Sequence, residues 1–176
     1  MTSITLSPIR KVSGDVFLPG SKSLSNRGLL LSSLADGTTR LTNLLRSDDT
    51  SHMIEALRQL GTTIKLDENG IEAEVTGKGD LFEPPANKQF FLGNAGTAIR
   101  PLTCLLALME GVFEIDGDEY MRERPIEHLV DALEQLGAEV HYLERHGCPP
   151  LRIIGGQTRG GKVIIPGNIS SQFLTS

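Results

Sequence analysis

Three stretches of this 176-residue sequence place small, hydroxylated or amide side chains directly ahead of apolar runs. They are Gly20-Ser21-Lys22-Ser23-Leu24-Ser25-Asn26-Arg27, Gly93-Asn94-Ala95-Gly96-Thr97-Ala98-Ile99-Arg100 and Gly167-Asn168-Ile169-Ser170-Ser171-Gln172-Phe173-Leu174. The first four N–H groups of a helix lack internal partners, and the macrodipole adds partial positive charge there, so helix starts suit phosphates and carboxylates. Small residues let such a ligand reach the backbone. Taken singly, each opening also reads as an ordinary helix cap. Cations tip the balance: Lys22 brings a mobile point charge, Arg27 a planar fork able to grip a carboxylate or a hydroxyl pair, and Arg100 a further charge. In a chain of net charge −5, cations set beside helix starts point to anion binding.

The segment Met121-Arg122-Glu123-Arg124-Pro125 adds two guanidinium groups just before another helical stretch. It is either a solvated charge cluster or, through Arg124, a specialised anion clamp. Ser47-Asp48-Asp49-Thr50 holds the corresponding place earlier in the chain, and its carboxylates suit a helix N-terminus better than catalysis. No P-loop exists, because Lys22 follows Gly20 after one residue, and no dinucleotide fingerprint sits between a strand and a helix. His52, His128, His141 and His146 form no metal constellation; His52 and His128 are expected to face outward at the starts of amphipathic helices. Cys104 lies in an apolar helix as a core residue, and the pair Cys104 and Cys148 has no ligand or redox spacing, which suggests a reducing, cytoplasmic setting.

The elements that must position the openings repeat. Ile54-Glu55-Ala56-Leu57-Arg58-Gln59-Leu60-Gly61 recurs as Val130-Asp131-Ala132-Leu133-Glu134-Gln135-Leu136-Gly137, an offset of 76, while the openings recur at offsets of 73 and 74. Each opening leads into a helical apolar pattern (Leu29 to Leu34, Leu102 to Met109) that stops at Gly37 or Gly111, suited to a C-cap. Strands are predicted at Thr39–Asn43 and Val112–Ile115, and amphipathic helices at Thr50–Leu60 and Pro125–Leu136, with Pro125 in the first turn. Strand pairs follow, Ile64–Leu66 with Ile71–Val75 around Asn69-Gly70, and Val140–Leu143 with Leu151–Ile154. The expected organisation is an α/β chain of repeated βαβαββ units: 20–92, 93–166 and the start of a third at 167–176. Residues 1–19 fall outside the period, with strand material at Ile4, Leu6 and Val16–Leu18.

Composition narrows the partners. Hydrophobic residues make up 39% and charged residues 22%, as expected of a globular chain with a core. The longest apolar run, Cys104 to Met109, is far short of the roughly 20 residues that span a membrane. An acidic chain with 5% aromatics and no Trp argues against nucleic acid, and no secretory signal opens it.

The ordered motifs resemble one family closely. Leu18-Pro19-Gly20-Ser21-Lys22-Ser23-Leu24-Ser25-Asn26-Arg27, Leu92-Gly93-Asn94-Ala95-Gly96-Thr97-Ala98-Ile99-Arg100-Pro101-Leu102, Arg122-Glu123-Arg124-Pro125-Ile126 and Ser170-Ser171-Gln172-Phe173-Leu174-Thr175 look like 5-enolpyruvylshikimate-3-phosphate synthases. The UDP-N-acetylglucosamine enolpyruvyl transferases, the alternative, fit worse: they have Lys-Asn where this chain has Lys22-Ser23, and a loop cysteine that neither Cys104 nor Cys148 supplies.

The resemblance implies enolpyruvyl transfer from phosphoenolpyruvate to the 5-hydroxyl of shikimate 3-phosphate, in chorismate and aromatic amino-acid biosynthesis, with no cofactor and no metal. It implies that Lys22 touches both substrates, Ser23 and Arg27 hold the shikimate moiety, and Asn94, Gly96 and Arg124 frame phosphoenolpyruvate. Ser170 and Ser171 would bind the shikimate phosphate, and Gln172 would lie between the substrates. Glyphosate would compete with phosphoenolpyruvate. The family has six units in two domains, and residues 1–19 belong there with the other domain. The family's catalytic Asp and Glu lie beyond Ser176, so the expectation is an N-terminal portion, inactive without a C-terminal half. A substrate-binding module and one half of a split enzyme are the alternatives.

Overall fold

The computed structural model describes residues 3–80, 82–166 and 171–175. Four helices, α1 (Lys22–Leu34), α2 (Asp48–Gln59), α3 (Gly96–Leu108) and α4 (Glu127–Gln135), alternate with seven strands. The strands are β1 (Asp36–Leu41), β2 (Thr63–Leu66), β3 (Ala73–Lys78), β4 (Gln89–Phe91), β5 (Gly111–Asp116), β6 (Glu139–Tyr142) and β7 (Leu151–Gly155). They form two sheets in an α/β arrangement. The first has the order β1-β3-β2 and is antiparallel. The second, β4-β5-β7-β6, has the same antiparallel arrangement in its last three strands and adds β4 parallel to β5.

The apolar residues of the helical patterns build one core. Leu29, Met53, Leu57, Leu92, Ile99, Leu102 and Leu106 are fully enclosed, with Phe90 and Phe113 from the second sheet. Burying each such side chain contributes about 1.5–3 kcal/mol. Helix α1 packs against α2, α3 and the first sheet, and α3 against the second sheet.

Two glycines bring helix ends onto strands. A Cβ at Gly77 would lie 2.0 Å from the Ala35 carbonyl oxygen and 2.4 Å from that of Ser32. At Gly155 it would lie 2.1 Å from the Met109 and 2.3 Å from the Leu106 carbonyl oxygens. Each glycine also pairs in register with another, Gly77 with Gly37 and Gly155 with Gly111. Gly155→Ala therefore forces backbone apart, and is expected to destabilise the chain by about 1–3 kcal/mol. Thermal melting reads this directly, and an unchanged midpoint would show that the end of α3 yields freely.

Helices α2 and α4 end as the sequence indicates. Gly61 and Gly137 adopt φ of 90° and 89°, and the amides of Thr62 and Ala138 donate to the carbonyls of Leu57 and Leu133 at 2.9 and 3.0 Å. These are Schellman closures, which need a residue free to enter the left-handed region. Helices α1 and α3 differ from expectation: their caps are Ala35 and Met109, both extended, and Gly37 and Gly111 already belong to the following strands.

Three further local expectations are corrected. Pro125 precedes α4 rather than entering its first turn; Arg124 is extended and the Pro125 carbonyl accepts from Arg100 at 2.8 Å. The strand expected from Ile71 begins only at Ala73, so the turn around Asn69-Gly70 is longer than the sequence indicates. The Asp67 carboxylate accepts from the amides of Asn69, Ile71 and Glu72, organising a loop from 67 to 72. Those bonds, led by Glu72, hold the Asp67 carboxyl below its ordinary range. The loop's stabilisation is thus full above the usual carboxylate pKa and is lost as pH falls through the lowered value.

The third correction concerns the N-terminal segment, where residues 3–20 contain no strand. Ile4, Leu6, Val16, Phe17 and Leu18 are exposed, Phe17 by 95%. A strand without a neighbour leaves its ladder N–H and C=O groups to water, so the apolar pattern alone does not set one.

Candidate functional site

The first opening becomes the start of α1. Ser21 caps it, its hydroxyl accepting from the Leu24 amide at 3.4 Å. Lys22 is the first helical residue, and its Nζ lies 2.9 Å from Asp49 Oδ1. Asp49 is held there because α2 is capped by Ser47, in a box with Thr50, which leaves Asp48 and Asp49 in the first turn where the helix dipole favours carboxylates. Ser47, not an aspartate, is thus the cap. Ser23 and Arg27 lie one turn apart on α1, and Arg27 donates to Thr175 Oγ1 at 2.7 Å.

The second opening starts α3 without a side-chain cap, since Ala95 stands at the N-cap. Asn94 Oδ1 is buried and has no hydrogen-bond partner among the described residues. Arg100, one turn into α3 and 7% exposed, folds back over the opening. It donates to the Gly96 carbonyl at 2.9 Å, to Gln172 Oε1 at 2.8 Å and to the Pro125 carbonyl at 2.8 Å. Its guanidinium also sits 5.2 Å from the centre of the Phe173 ring. Every acceptor is neutral. Burial, and then the charge of Arg124, lower the Arg100 pKa from its ordinary value.

The two arginines flanking Glu123 have different surroundings. Arg122 is bound to Asp116 and, at 2.8 Å, to Glu144, so it anchors the short 3-10 turn Met121–Glu123 to β5. Arg124 has no carboxylate partner among the described residues and reaches Gly96: a Cβ there would lie 2.8 Å from Arg124 Nη1 and 2.9 Å from Arg100 Nη1. Glycine at 96 leaves room for both guanidinium groups. It also leaves open the space they face.

Ser23, Arg27, Gly96, Thr97, Arg100 and Gln172 line one cleft between α1, α3 and the second 3-10 turn, Ser171–Phe173. The structure therefore gathers Ser23, Arg27, Gly96 and Gln172, with Arg124 beside Gly96. Lys22 turns aside to Asp49, Asn94 lies just before the helix, and Ser171 is exposed at the head of its turn. Ser170 lies outside the described residues. Of the cations here only Lys22 has a carboxylate partner among the described residues. Three guanidinium groups without carboxylates, in an acidic chain, make a place for an anion.

His52 and His128 do not face outward as expected. Both are half-buried, stacked edge-on against Phe91 at 5.9 Å and Phe173 at 5.6 Å. Each plugs the helix of one unit against the opening of the next. Asp49, Asn26, Thr97 and Thr175 are site neighbours that sequence reasoning missed; the acidic pair at 48–49 was visible, but its link to Lys22 needed the fold. Cys104 packs against the core, and burial pushes its thiol up to about 12. A larger opening of about 620 Å³ lies between the end of α4 and residues 156–161, where Arg159 stands without a second cation. No helix is long and apolar enough to cross a membrane, and no group of three or more His, Cys, Asp or Glu among the described residues could hold a metal ion.

Comparison with known proteins follows this geometry. The sequence profile described as EPSP synthase (3-phosphoshikimate 1-carboxyvinyltransferase) matches residues 6–176. The chain is 57% identical over all 176 residues to a 3-phosphoshikimate 1-carboxyvinyltransferase of Aliivibrio fischeri, of which it covers 41%. A Vibrio cholerae protein of the same name is 54% identical over the same span, again 41% of its length. The chain thus spans about two fifths of the curated relatives it matches. Among solved structures, EPSP synthase from Acinetobacter baumannii superposes with a TM-score of 0.83 and 31% identity, over 92% of this chain and 37% of that one. The enolpyruvyl transferase NikO from Streptomyces tendae shares the fold, with a TM-score of 0.57 at 18% identity over 84% of this chain and 31% of that one.

Proposed function

This chain belongs to the EPSP synthase family, and from that premise we propose that it carries the anion-binding part of a site that transfers an enolpyruvyl group from phosphoenolpyruvate to shikimate 3-phosphate. The observation that carries this reading is the convergence of Arg27, Arg100 and Arg124 around Gly96 and Gln172, with neutral acceptors in place of carboxylates. Both substrates are polyanions, so the unbalanced charge has a use.

In the reaction, the 5-hydroxyl group gives up its proton to a base as its oxygen bonds to C2 of phosphoenolpyruvate, while a proton adds to the methylene carbon, giving a tetrahedral ketal. Loss of a proton from the new methyl group then expels inorganic phosphate and restores the double bond. Lys22 stabilises charge as the ketal forms and touches both substrates. Ser23 and Arg27 hold the shikimate moiety, with Ser170 and Ser171 on its phosphate. Asn94, Gly96 and Arg124 frame phosphoenolpyruvate. Gln172, fixed by Arg100, lies between the two. Preorganised donors of this kind act where charge develops. Glyphosate competes for the phosphoenolpyruvate place. No cofactor enters the scheme, and the setting is the cytoplasm.

Two units, 20–92 and 93–166, organise the site, a division supported by the shared β1-β3-β2 and β5-β7-β6 orders. Further polypeptide takes part as well. Leu24 and Leu31 of α1 are 67% and 66% exposed, while their counterparts at the 73-residue offset, Thr97 and Cys104, are half-buried. This face, with the apolar N-terminal segment, is covered by other parts of the protein or by a separate chain that completes the site.

Phosphate release in the presence of both substrates tests the activity in the protein at its full encoded length. Arg124→Ala is expected to reduce kcat/KM for phosphoenolpyruvate by about 10²–10³. Unaltered kinetics would remove Arg124 from the site, and absence of turnover in the unmutated protein would sink the substrate assignment. Residues 1–176 alone are expected to give no turnover until mixed with the complementary polypeptide; turnover by 1–176 alone would refute the need for it.

A further inference from the structure

A single hydrogen bond between side chains joins the first opening to the second among the described residues. Asn26 Nδ2 donates to Thr97 Oγ1 at 2.8 Å, linking α1 to α3. Asn26 stands between Ser23 and Arg27 on α1, and Thr97 directly follows Gly96. The bond therefore ties the residues assigned to the shikimate moiety to the one beside the phosphoenolpyruvate place. Asn26 is 0% exposed, and its Oδ1 is buried with no partner among the described residues. Leaving a buried acceptor unpaired costs stability. The fold does not demand this cost: the residue that corresponds to Asn26 in α3 at the 73-residue offset is Ile99, 1% exposed. The same position of the repeated opening is thus filled by an apolar side chain in one copy and by an amide in the other.

We infer that Asn26 is a positioning residue, which fixes α3 against α1 so that the two anion places meet at a set distance and angle. The inference rests on the substrate reading above and deepens it. Arg100 holds the Gly96 carbonyl from one side, and Asn26 holds the adjacent Thr97 hydroxyl from the other. Gly96 lies between these two restraints. Freeing one lets the start of α3 rotate, and small misplacements of reacting groups weaken transition-state binding.

The test is a double-substitution cycle in the protein at its full encoded length. Asn26→Leu and Thr97→Val are each expected to reduce kcat/KM for phosphoenolpyruvate by about tenfold, and the double variant no further, because both remove the same bond. Thr97→Ser keeps the hydroxyl and is expected to retain wild-type kinetics. Asn26→Leu replaces an amide with an unpaired oxygen by an apolar residue of similar size, so its melting temperature is expected to hold or rise while activity falls. A merely structural role would lower both together. Losses that multiply in the double variant, or activity that falls only alongside melting temperature, would overturn the inference. Should Asn26→Leu fail to fold, Thr97→Val and Thr97→Ser, at a half-buried position, give the same reading between them. If the unmutated protein turns over and the cycle is multiplicative, only this inference falls; if it does not turn over, the substrate reading falls with it.

Discussion

Lys22→Ala is expected to reduce kcat/KM by about 10²–10³ while leaving the melting temperature nearly unchanged. The two halves of this expectation have separate causes. Lys22 Nζ pairs with Asp49 at 2.9 Å, but the lysine side chain is 46% exposed. Exposed pairs gain little over hydration, so their loss is scarcely felt in folding. In the proposed reaction the same ammonium is the charge that meets both substrates. Lys22→Arg is expected to recover little, because the fork is bulkier and distributes its charge differently. Steady-state kinetics on both substrates, with melting curves as the control, decide the matter. Wild-type turnover in Lys22→Ala would refute the role.

Arg100→Met is the second large effect, and it works at one remove from the substrates. The guanidinium supplies donors to three separate pieces of chain: the Gly96 carbonyl, the Gln172 amide oxygen and the Pro125 carbonyl. Methionine fills the space beside Phe173 but donates to none of them. The start of α3, the turn at 171–173 and the segment carrying Arg124 then lose their common tie. A fall in kcat/KM of about 10² is expected, the scale of a misplaced site. Stability is expected to change less than three lost hydrogen bonds suggest, since a buried cation without a carboxylate is removed along with them. Arg100→Lys is expected not to rescue, because one ammonium cannot span acceptors set for a fork. Activity near wild type in Arg100→Met would show that the three segments hold position by packing alone.

Much of the architecture was legible in the residues because repetition doubles every signal. The helical apolar patterns, the glycine stops at Gly61 and Gly137 and the antiparallel strand pairs that follow them depend on local preference, and they appear in the fold. What was not legible depends on neighbours. The pattern at Val16–Leu18 has strand character, yet a strand exists only beside another. Pro125 has the φ for a first helical turn, but its carbonyl is drawn to Arg100, which stands 25 residues earlier. The strand pattern starts at Ile71, yet the Asp67 carboxylate gathers three amides and delays the strand to Ala73. In the site, the cations announced an anion, whereas the sorting of Arg122 into an ion pair and Arg124 toward Gly96 required Asp116 and Glu144 to be placed in space. Asn26 and Ile99 stand at equivalent positions, and only contacts reveal why one of them is polar.

Gly77 and Gly155 hold each helix end against its sheet by the same backbone collision they avoid. The restraint acts at the far end of α1 and α3 from the ligand-facing openings. Clamped at that end by backbone, each helix keeps its seat while the other end, tied only through side chains such as Asn26 and Arg100, can be rewritten. Grafting the Asn94–Thr97 sequence onto the tip of α1, or Lys22–Ser25 onto α3, should therefore change what is bound long before it changes what folds. The chain is in this sense a pair of identical handles fitted with different bits.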